Sequence, residues 1–320
     1  MNRWDDIVEV PLPLPFPLKI IKSYLIKGSG GYTIVDAGLH YRGDLEAWED
    51  ARRSVGFAWP DVEQIVLTHY HPDHYGLAGW LQQQTGAPVK LSRTDFEQAS
   101  LFWNNDSEQP EIMGRYFAEH GLDAETAAKI PEHLRSFVKW VEPHPEPEYI
   151  AAGQQIRLGD RSYRILHTPG HADGHLSFYD EDRKWLIGGD FLLPRITPNI
   201  SLWPGCDPDP LGTYLHTLEE MDKLAVAKVF PSHGSAFETY HERIDELKRH
   251  HRERLDRMKE WTRGEGITAM EVCNRVFGND LSIHNLRFAL AETLAHLEYL
   301  HRRGELVKEK RGNHWTYRLA

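Results

Sequence analysis

A cluster of metal-ligand residue types follows a short β-like run and limits what this chain can fold into. The run spans residues 65–68, and His69, His71, Asp73 and His74 follow it within six positions. Side chains two positions apart lie on different faces of an α-helix, but they can converge in an extended or turn segment. Neutral imidazole is the commonest metal ligand, and a carboxylate oxygen suits the same borderline ions. The motif therefore predicts a metal site on a loop at the end of a β-strand.

Three more residues of these types follow strand-like segments further along the chain. His171 comes after residues 161–167, Asp190 after 184–187 and His233 after 228–231. One histidine or aspartate at a strand end is more typical of a turn or a cap. Taken with the first cluster, however, they give five histidines and two aspartates. That number exceeds the needs of one tetrahedral ion and suits two.

Composition excludes several other classes of protein. The 320 residues are 40% hydrophobic and 27% charged, as in globular rather than disordered or fibrous chains. Two cysteines cannot form a disulfide framework, so we expect a reducing, cytoplasmic setting. No apolar run reaches the roughly 18 residues of a membrane span, and the first residues do not resemble a signal peptide. The net charge of −11 argues against indiscriminate binding to nucleic acid or anionic membranes.

The distribution of strand-like and helical patterns predicts two domains. Residues 1–240 form the predicted catalytic domain, in which short strands alternate with turns and a helical insertion occupies about 95–145. Residues 241–320 are mostly helical, with an apolar stripe at Leu286, Leu290, Leu294 and Leu297. Two strand-like runs around residues 311–313 end the chain. Helices followed by a terminal hairpin predict a small winged-helix-like module.

The order of these motifs resembles that of the metallo-β-lactamase superfamily. The match runs through H-x-H-x-D-H, a strand-end histidine, Gly-Asp and Ser-His-Gly, and covers most of residues 20–240. It implies an α/β fold, a four-layer αββα sandwich with the site at one edge. It also implies one metal on His69, His71 and His171, a second on Asp73, His74 and His233, and Asp190 as the bridge. Asp36 matches the first motif of the family, where the carboxylate orients the ligand loop.

The sequence around His171, together with the C-terminal module, resembles the glyoxalase II and β-lactamase-like 2 branches. This resemblance predicts a dinuclear zinc hydrolase in which a metal-bound hydroxide attacks a thioester or an ester-like small molecule. Asp73 is the predicted proton shuttle, and Asp190 is the second predicted catalytic residue. The alternatives are a zinc endoribonuclease or phosphodiesterase, a persulfide dioxygenase with one iron, and a non-catalytic metal-bound regulator. Iron or manganese therefore remain alternatives to two Zn²⁺ ions.

Substrate contacts are less constrained by the sequence. Tyr70, Tyr75 and His175 stand beside ligands, Arg195 is a candidate anion anchor, and Trp203 is a candidate wall of an acyl pocket. Residues 264–320 carry eight Lys and Arg against seven Asp and Glu, a weak charge for a nucleic-acid reader. We therefore expect this module to pack against the catalytic domain or to form a wall of the substrate site. Lys308, Lys310 and Arg311 are the evidence in favour of nucleic-acid binding. A small-molecule substrate is the expected partner, nucleic acid is not favoured, and homo-oligomer formation stays open.

Overall fold

Two β-sheets lie face to face in the computed structural model, which describes residues 1–320. The first sheet takes its strands from the N-terminal half: β1 (Arg3–Trp4), β2 (Ile7–Pro13), β3 (Ile20–Lys27), β4 (Tyr32–Val35), β5 (Val62–Val66), β6 (Val89–Leu91) and β7 (Pro147–Tyr149). The strands lie in chain order. Neighbours are antiparallel from β1 to β4 and parallel from β4 to β7.

The second sheet is built from five strands that follow residue 150. These are β8 (Gln155–Leu158), β9 (Arg161–His167), β10 (Leu176–Asp180), β11 (Trp185–Gly189) and β12 (Lys228–Pro231), in the order β12-β11-β10-β9-β8. Only β11 and β12 pair in parallel. Tyr24 and Val35 of the first sheet and Phe178, Ile187 and Phe230 of the second belong to one buried cluster. Burial of this apolar surface between the sheets holds them together.

Helices pack on the outer faces of both sheets and also form the insertion and most of the C-terminal part. They are α1 (Arg42–Val55), α2 (Pro72–Tyr75), α3 (Ala78–Thr85), α4 (Arg93–Phe102), α5 (Gln109–Glu119), α6 (Ala124–Arg135), α7 (Pro210–Met221), α8 (Tyr240–Trp261), α9 (Ala269–Phe277) and α10 (Ile283–Arg302), with 3-10 turns at Trp59–Asp61 and Val138–Trp140. Helix α1 packs on β2 and α3 packs on β5. Outward-facing Leu186 and Val229 share a core cluster with Leu218 of α7 and Ile244 of α8. The expected αββα sandwich is therefore confirmed.

The helical insertion predicted for about 95–145 corresponds to α4, α5, α6 and the second 3-10 turn. It lies between β6 and β7, which are neighbours in the first sheet and pair in parallel. A parallel pair needs a long crossover, and the insertion supplies it. Helix α6 also contacts α10, so the insertion reaches the C-terminal module.

The C-terminal part contains the predicted helices and terminal hairpin. Strands β13 (Ile267–Thr268), β14 (Leu306–Arg311) and β15 (His314–Leu319) form a sheet in the order β13-β15-β14. Helix α10 is buried around most of its circumference, because α6, α7, α8, α9 and β14 all contact it. The apolar stripe read from the sequence covers only part of that surface. None of the helices has the length and apolarity required to cross a membrane.

Candidate metal centre

The ends of four strands bring the seven predicted ligands to one edge of the sandwich. His69, His71, Asp73 and His74 occupy the loop and the short helix α2 that follow β5. His171 follows β9, Asp190 directly follows β11 and His233 follows β12. Their nitrogen and oxygen atoms form three overlapping groups in which all ligand atoms lie within 4.8 Å of one another.

His69, His71 and His171 form what we call the three-histidine group. The Nε2 atom of His69 lies 2.9 Å from Nδ1 of His71, which lies 2.9 Å from Nε2 of His171. Burial lowers the pKa of each of these histidines, and the neighbouring imidazoles add to the effect for His69 and His71. Neutral rings with converging nitrogens are what a divalent cation requires.

Asp73, His74 and His233 form the acid-rich group. The Oδ2 atom of Asp73 lies 3.4 Å from Nε2 of His233 and 3.9 Å from Nε2 of His74. Burial opposes ionisation of Asp73, but His74 and His233 outweigh it and lower the pKa of this carboxyl to about 2. The group therefore presents a carboxylate beside two imidazoles.

Asp190 lies between the two groups. Its Oδ2 atom is 3.5 Å from Nε2 of His171 and 3.6 Å from Nε2 of His233. Its Oδ1 atom is 3.6 Å from Nε2 of His74. A carboxylate with one group on either side is placed where it can bridge two cations.

Hydrogen bonds outside the cluster fix the direction of the imidazole lone pairs. The Nδ1–H groups of His171 and His233 donate to the backbone carbonyls of Asn199 and Ile20, at 2.8 and 3.0 Å. His74 donates through Nδ1 to Asp36 at 2.8 Å. In the neutral form, each of these three rings then points an unprotonated Nε2 into the cluster.

Two buried atoms at the centre of the cluster lack any hydrogen-bond partner. They are Nε2 of His74 and Oδ1 of Asp190. Unpaired buried polar atoms are costly, so their presence needs an explanation. Because a nitrogen lone pair and a carboxylate oxygen both coordinate divalent ions, the residues fit a metal site.

Asp36 holds the ligand loop from behind. One carboxylate oxygen accepts the backbone N–H of Thr68 at 2.8 Å, and the carboxylate also accepts the Thr68 hydroxyl and His74 Nδ1. Asp36 has a φ of 61°, in the left-handed region. A non-glycine residue in that region stores backbone strain, which concentrates at functional sites. These contacts place Asp36 where the expected orienting role requires it.

A cavity of about 300 Å³ opens onto the cluster. His71, Asp73, His171, Asp190 and His233 form its floor. Its walls are largely apolar: Leu14, Phe16, Leu18, Tyr70, Phe102, Trp103, Met113, Leu134, Phe137, Leu193, Ile196, Trp203 and Phe288. The predicted contacts Tyr70 and Trp203 thus lie on the cavity wall.

Three other predicted contacts do not reach the cavity wall. Tyr75 is fully buried, and its hydroxyl hydrogen-bonds to Nδ1 of His144 at 3.0 Å. His175 is also fully buried, and its Nε2 accepts the backbone N–H of Asp190 at 3.1 Å. His175 therefore holds the backbone at Asp190 and lies outside the lining of the cavity. Arg195 is exposed and lies outside the lining of the cavity.

Sequence reasoning missed several cavity residues. Phe16 and Leu18 come from the proline-rich segment before β3, and His284, Arg287 and Phe288 come from α10. No local motif marks them, because they reach the cavity only through the packing of distant segments. Arg287 did carry one signal, since it is an arginine within a strongly apolar helical stripe.

Comparison with known families identifies the superfamily to which the chain belongs. Residues 17–233 match the family model of the metallo-beta-lactamase superfamily. The chain belongs to the metallo-β-lactamase superfamily. Residues 255–320 match a second model, the metallo-beta-lactamase-like C-terminal domain. Both matches fit the predicted family and the presence of a C-terminal module.

Relatives within the superfamily match along most of the chain. A Bacillus subtilis (strain 168) protein named "Probable metallo-hydrolase YqjP" is 26% identical over 316 residues, 97% of this chain and 96% of its own. The crystal structure of metallo-beta-lactamase family protein TTHA1429 from Thermus thermophilus is 34% identical, with a TM-score of 0.87 and 99% of both chains covered. The Homo sapiens acyl-coenzyme A thioesterase MBLAC2 is 29% identical over 238 residues, 67% of this chain and 73% of its own. The chain is a metal-dependent hydrolase of this superfamily.

Proposed function

We propose that this hydrolase cleaves acyl thioesters or similar esters of small molecules and that it uses two zinc ions. The observation that carries the proposal is the largely apolar cavity whose floor is formed by the candidate ligands. An acyl chain would lie against Phe102, Phe137 and Trp203 while its carbonyl faces the cluster. The thioesterase activity named for the human relative supports the same substrate class.

The two groups and Asp190 would hold the metal ions. The three-histidine group would bind one ion, the acid-rich group the other, and Asp190 both. When bound, divalent cations supply Lewis-acid polarisation of a carbonyl and bring the pKa of water towards neutrality. Two complete groups favour two ions over one, because a single iron would leave the acid-rich group without a function.

The side chains of this protein then have three tasks. The aromatic walls bind the acyl chain and exclude bulk water. His74, His171 and His233 keep fixed orientations through Asp36, Asn199 and Ile20. Asp73 lies on the cavity floor, so its carboxylate is placed to take up the proton released by the attacking water and to pass it to the departing thiolate.

The ion pairs of the C-terminal hairpin argue against the nuclease alternative. Of the three cations named above, Lys308 pairs with the buried Glu298 at 2.5 Å, and Arg311 lies 3.8 Å from Glu309. Lys310 forms no ion pair and lies 5.5 Å from the ring centroid of Trp315. Cations that are already paired within the chain contribute little to a phosphate-binding track. This pairing supports a packing role for the module.

A substrate panel on zinc-loaded protein tests the proposal. Hydrolysis of medium-chain acyl thioesters should exceed hydrolysis of bis-aryl phosphodiesters and of single-stranded RNA, and His69→Ala should abolish it. Metal analysis should give about two zinc ions per chain. Faster cleavage of RNA than of thioesters would favour the nuclease alternative. One iron per chain together with persulfide oxidation would overturn the proposed thioester hydrolysis.

A further inference from the structure

Arg287 is a buried cation without an acidic partner. It lies in the second turn of α10, lines the cavity and is only 7% exposed. Its Nε–H group is buried and has no hydrogen-bond partner, and no carboxylate of the chain forms an ion pair with it. In a chain with a net charge of −11, an unpaired guanidinium inside a cavity is an exception that needs a cause.

The surroundings of Arg287 compensate only part of the cost of burying it. The guanidinium carbon lies 3.8 Å from the ring centroid of Phe288 and 5.2 Å from that of Phe137. Cation–π contacts of this kind are weaker than the cost of an unpaired buried charge. Burial lowers the pKa of Arg287 to about 10, so the group still carries its charge at neutral pH.

The other polar groups near Arg287 do not supply an anion. Burial lowers the pKa of both His284 and His133 to about 4, so these rings are neutral. Tyr70 faces the same region with its phenol, whose pKa burial raises well above the usual value. The carboxylate that acts on His284 is that of Asp73, a candidate metal ligand on the cavity floor, and it forms no ion pair with Arg287. This part of the cavity therefore holds a positive charge that no carboxylate of the chain pairs with.

We infer that Arg287 binds an anionic group of the substrate, a carboxylate or a phosphate, while the scissile carbonyl lies at the metal centre. The inference rests on the proposed thioester hydrolysis and specifies its substrate class. A planar guanidinium with free N–H groups matches the two oxygens of a carboxylate or phosphate. Arg287 and the candidate ligands line the same largely apolar cavity. The apolar residues would hold an apolar segment of the substrate, which is therefore amphipathic.

The anion can belong to either half of a thioester, and substrates distinguish the two sources. Glutaryl N-acetylcysteamine carries the charge on the acyl side, and butyryl phosphopantetheine carries it on the thiol side. Butyryl N-acetylcysteamine is neutral and is the reference. Arg287→Gln should raise KM on the order of tenfold for one of the charged substrates and leave the neutral substrate unchanged. Arg287→Lys should recover part of the loss.

Arg302→Gln is the matched control, because Arg302 lies at the end of the same helix, is exposed and does not line the cavity. It should leave KM unchanged for all three substrates. Equal effects of Arg287→Gln on charged and neutral thioesters would overturn the inference. A fall of more than about 5 °C in the melting temperature without a change in KM would also overturn it, because that result assigns Arg287 to packing.

A binding measurement separates this inference from the proposed hydrolysis. Full-length metal-loaded protein is titrated calorimetrically with 4-phenylbutyrate, phenyl phosphate and the neutral 4-phenylbutyramide. Arg287→Gln should weaken binding of an anionic probe about tenfold and should not affect the amide. The measurement does not require cleavage of a thioester. Binding of the probes therefore tests the anion site even if the hydrolase proposal fails. Unchanged affinity for both anions would overturn the anion site.

Discussion

Glu292 of α10 accepts a hydrogen bond from the side-chain amide of Asn199 at 2.7 Å. The backbone carbonyl of the same Asn199 accepts the Nδ1–H of His171, a candidate ligand. Arg254 of α8 pairs with the second oxygen of Glu292, which is 6% exposed. Two helices of the C-terminal part therefore hold the loop that orients a candidate ligand of the catalytic part.

Replacement of Glu292 should weaken metal binding at a distance. Glu292→Ala removes the acceptor for Asn199, so the loop and the ring of His171 lose their anchor. Glu292 does not contact His171 itself, so we expect the metal affinity of the three-histidine group to fall by up to about tenfold, the lower limit for loss of a residue bonded directly to a ligating histidine. Titration against a chromogenic chelator measures this. Glu305→Ala, which removes only a half-exposed ion pair with Lys259, should leave affinity unchanged; equal losses in both variants would refute the link.

The ligands could be predicted from the sequence because each stands next to a strand that the sequence itself indicates. His69, His171 and His233 follow apolar runs, and carboxyl ends of neighbouring strands meet at one edge of a sheet. The link between Asn199 and Glu292 could not be predicted in the same way. It joins residues 93 positions apart, and it exists only because α10 packs against the catalytic part.

The substrate contacts also divide into those that the sequence predicted and those that it did not. Trp203 was expected on the wall because it is a large aromatic near the motifs, and it lies there. Tyr75 directly follows His74, and His175 lies four positions after His171, so both were candidates for contact with substrate. Both are instead buried: the Tyr75 hydroxyl hydrogen-bonds to His144, and His175 Nε2 accepts the backbone N–H of Asp190. Proximity in sequence predicts a ligand loop well, but it does not predict which way each side chain faces.

Asp36→Asn should reduce metal binding in the acid-rich group while preserving the fold. Asparagine tolerates the left-handed backbone at this position, so the change removes mainly the charge that faces His74. We expect a 10- to 100-fold loss of affinity for one of the two ions. Metal-buffered titration with elemental analysis checks this, and Asp61→Asn, at an exposed cap of a 3-10 turn, is the control. Retention of both ions at wild-type affinity would contradict the role of Asp36.

Gly170→Ala should disrupt the position of His171. Gly170 has a φ of 123°, and an added Cβ would lie 2.4 Å from Cβ and 2.6 Å from Cα of Tyr214 in α7. Because backbone atoms cannot move as a flexible side chain can, we expect a destabilisation of about 1–3 kcal/mol together with weaker metal binding. Gly153→Ala is the control for backbone strain without a steric clash, since Gly153 has a φ of 83° and no atom within 4 Å of an added Cβ. Thermal unfolding and metal titration of both variants should show loss of metal affinity in Gly170→Ala alone.

A buried histidine pair in the C-terminal part should make stability fall in acid. Nε2 of His296 accepts from Nδ1 of His251 at 3.1 Å, and its own Nδ1 donates to the carbonyl of Glu292. Burial lowers the pKa of His296 to about 3, against about 6.5 for a histidine in the unfolded chain. The unfolded state therefore binds more protons than the folded state between these values. The stabilisation is complete above pH 6.5 and is lost progressively as the pH falls towards 3.

His296→Gln isolates this contribution. Between pH 7 and pH 5, the free energy of unfolding of the wild type should fall by about 2 kcal/mol more than that of His296→Gln, because glutamine does not titrate. Urea denaturation at both pH values gives the change in the free energy of unfolding for the wild type and for the variant. Because each change is taken within one protein, a difference in their absolute stabilities does not affect the comparison. His314→Gln, at an exposed position of the terminal hairpin, should follow the wild type. Parallel pH dependence of wild type and His296→Gln would show that His296 is protonated in the folded chain and would contradict the prediction.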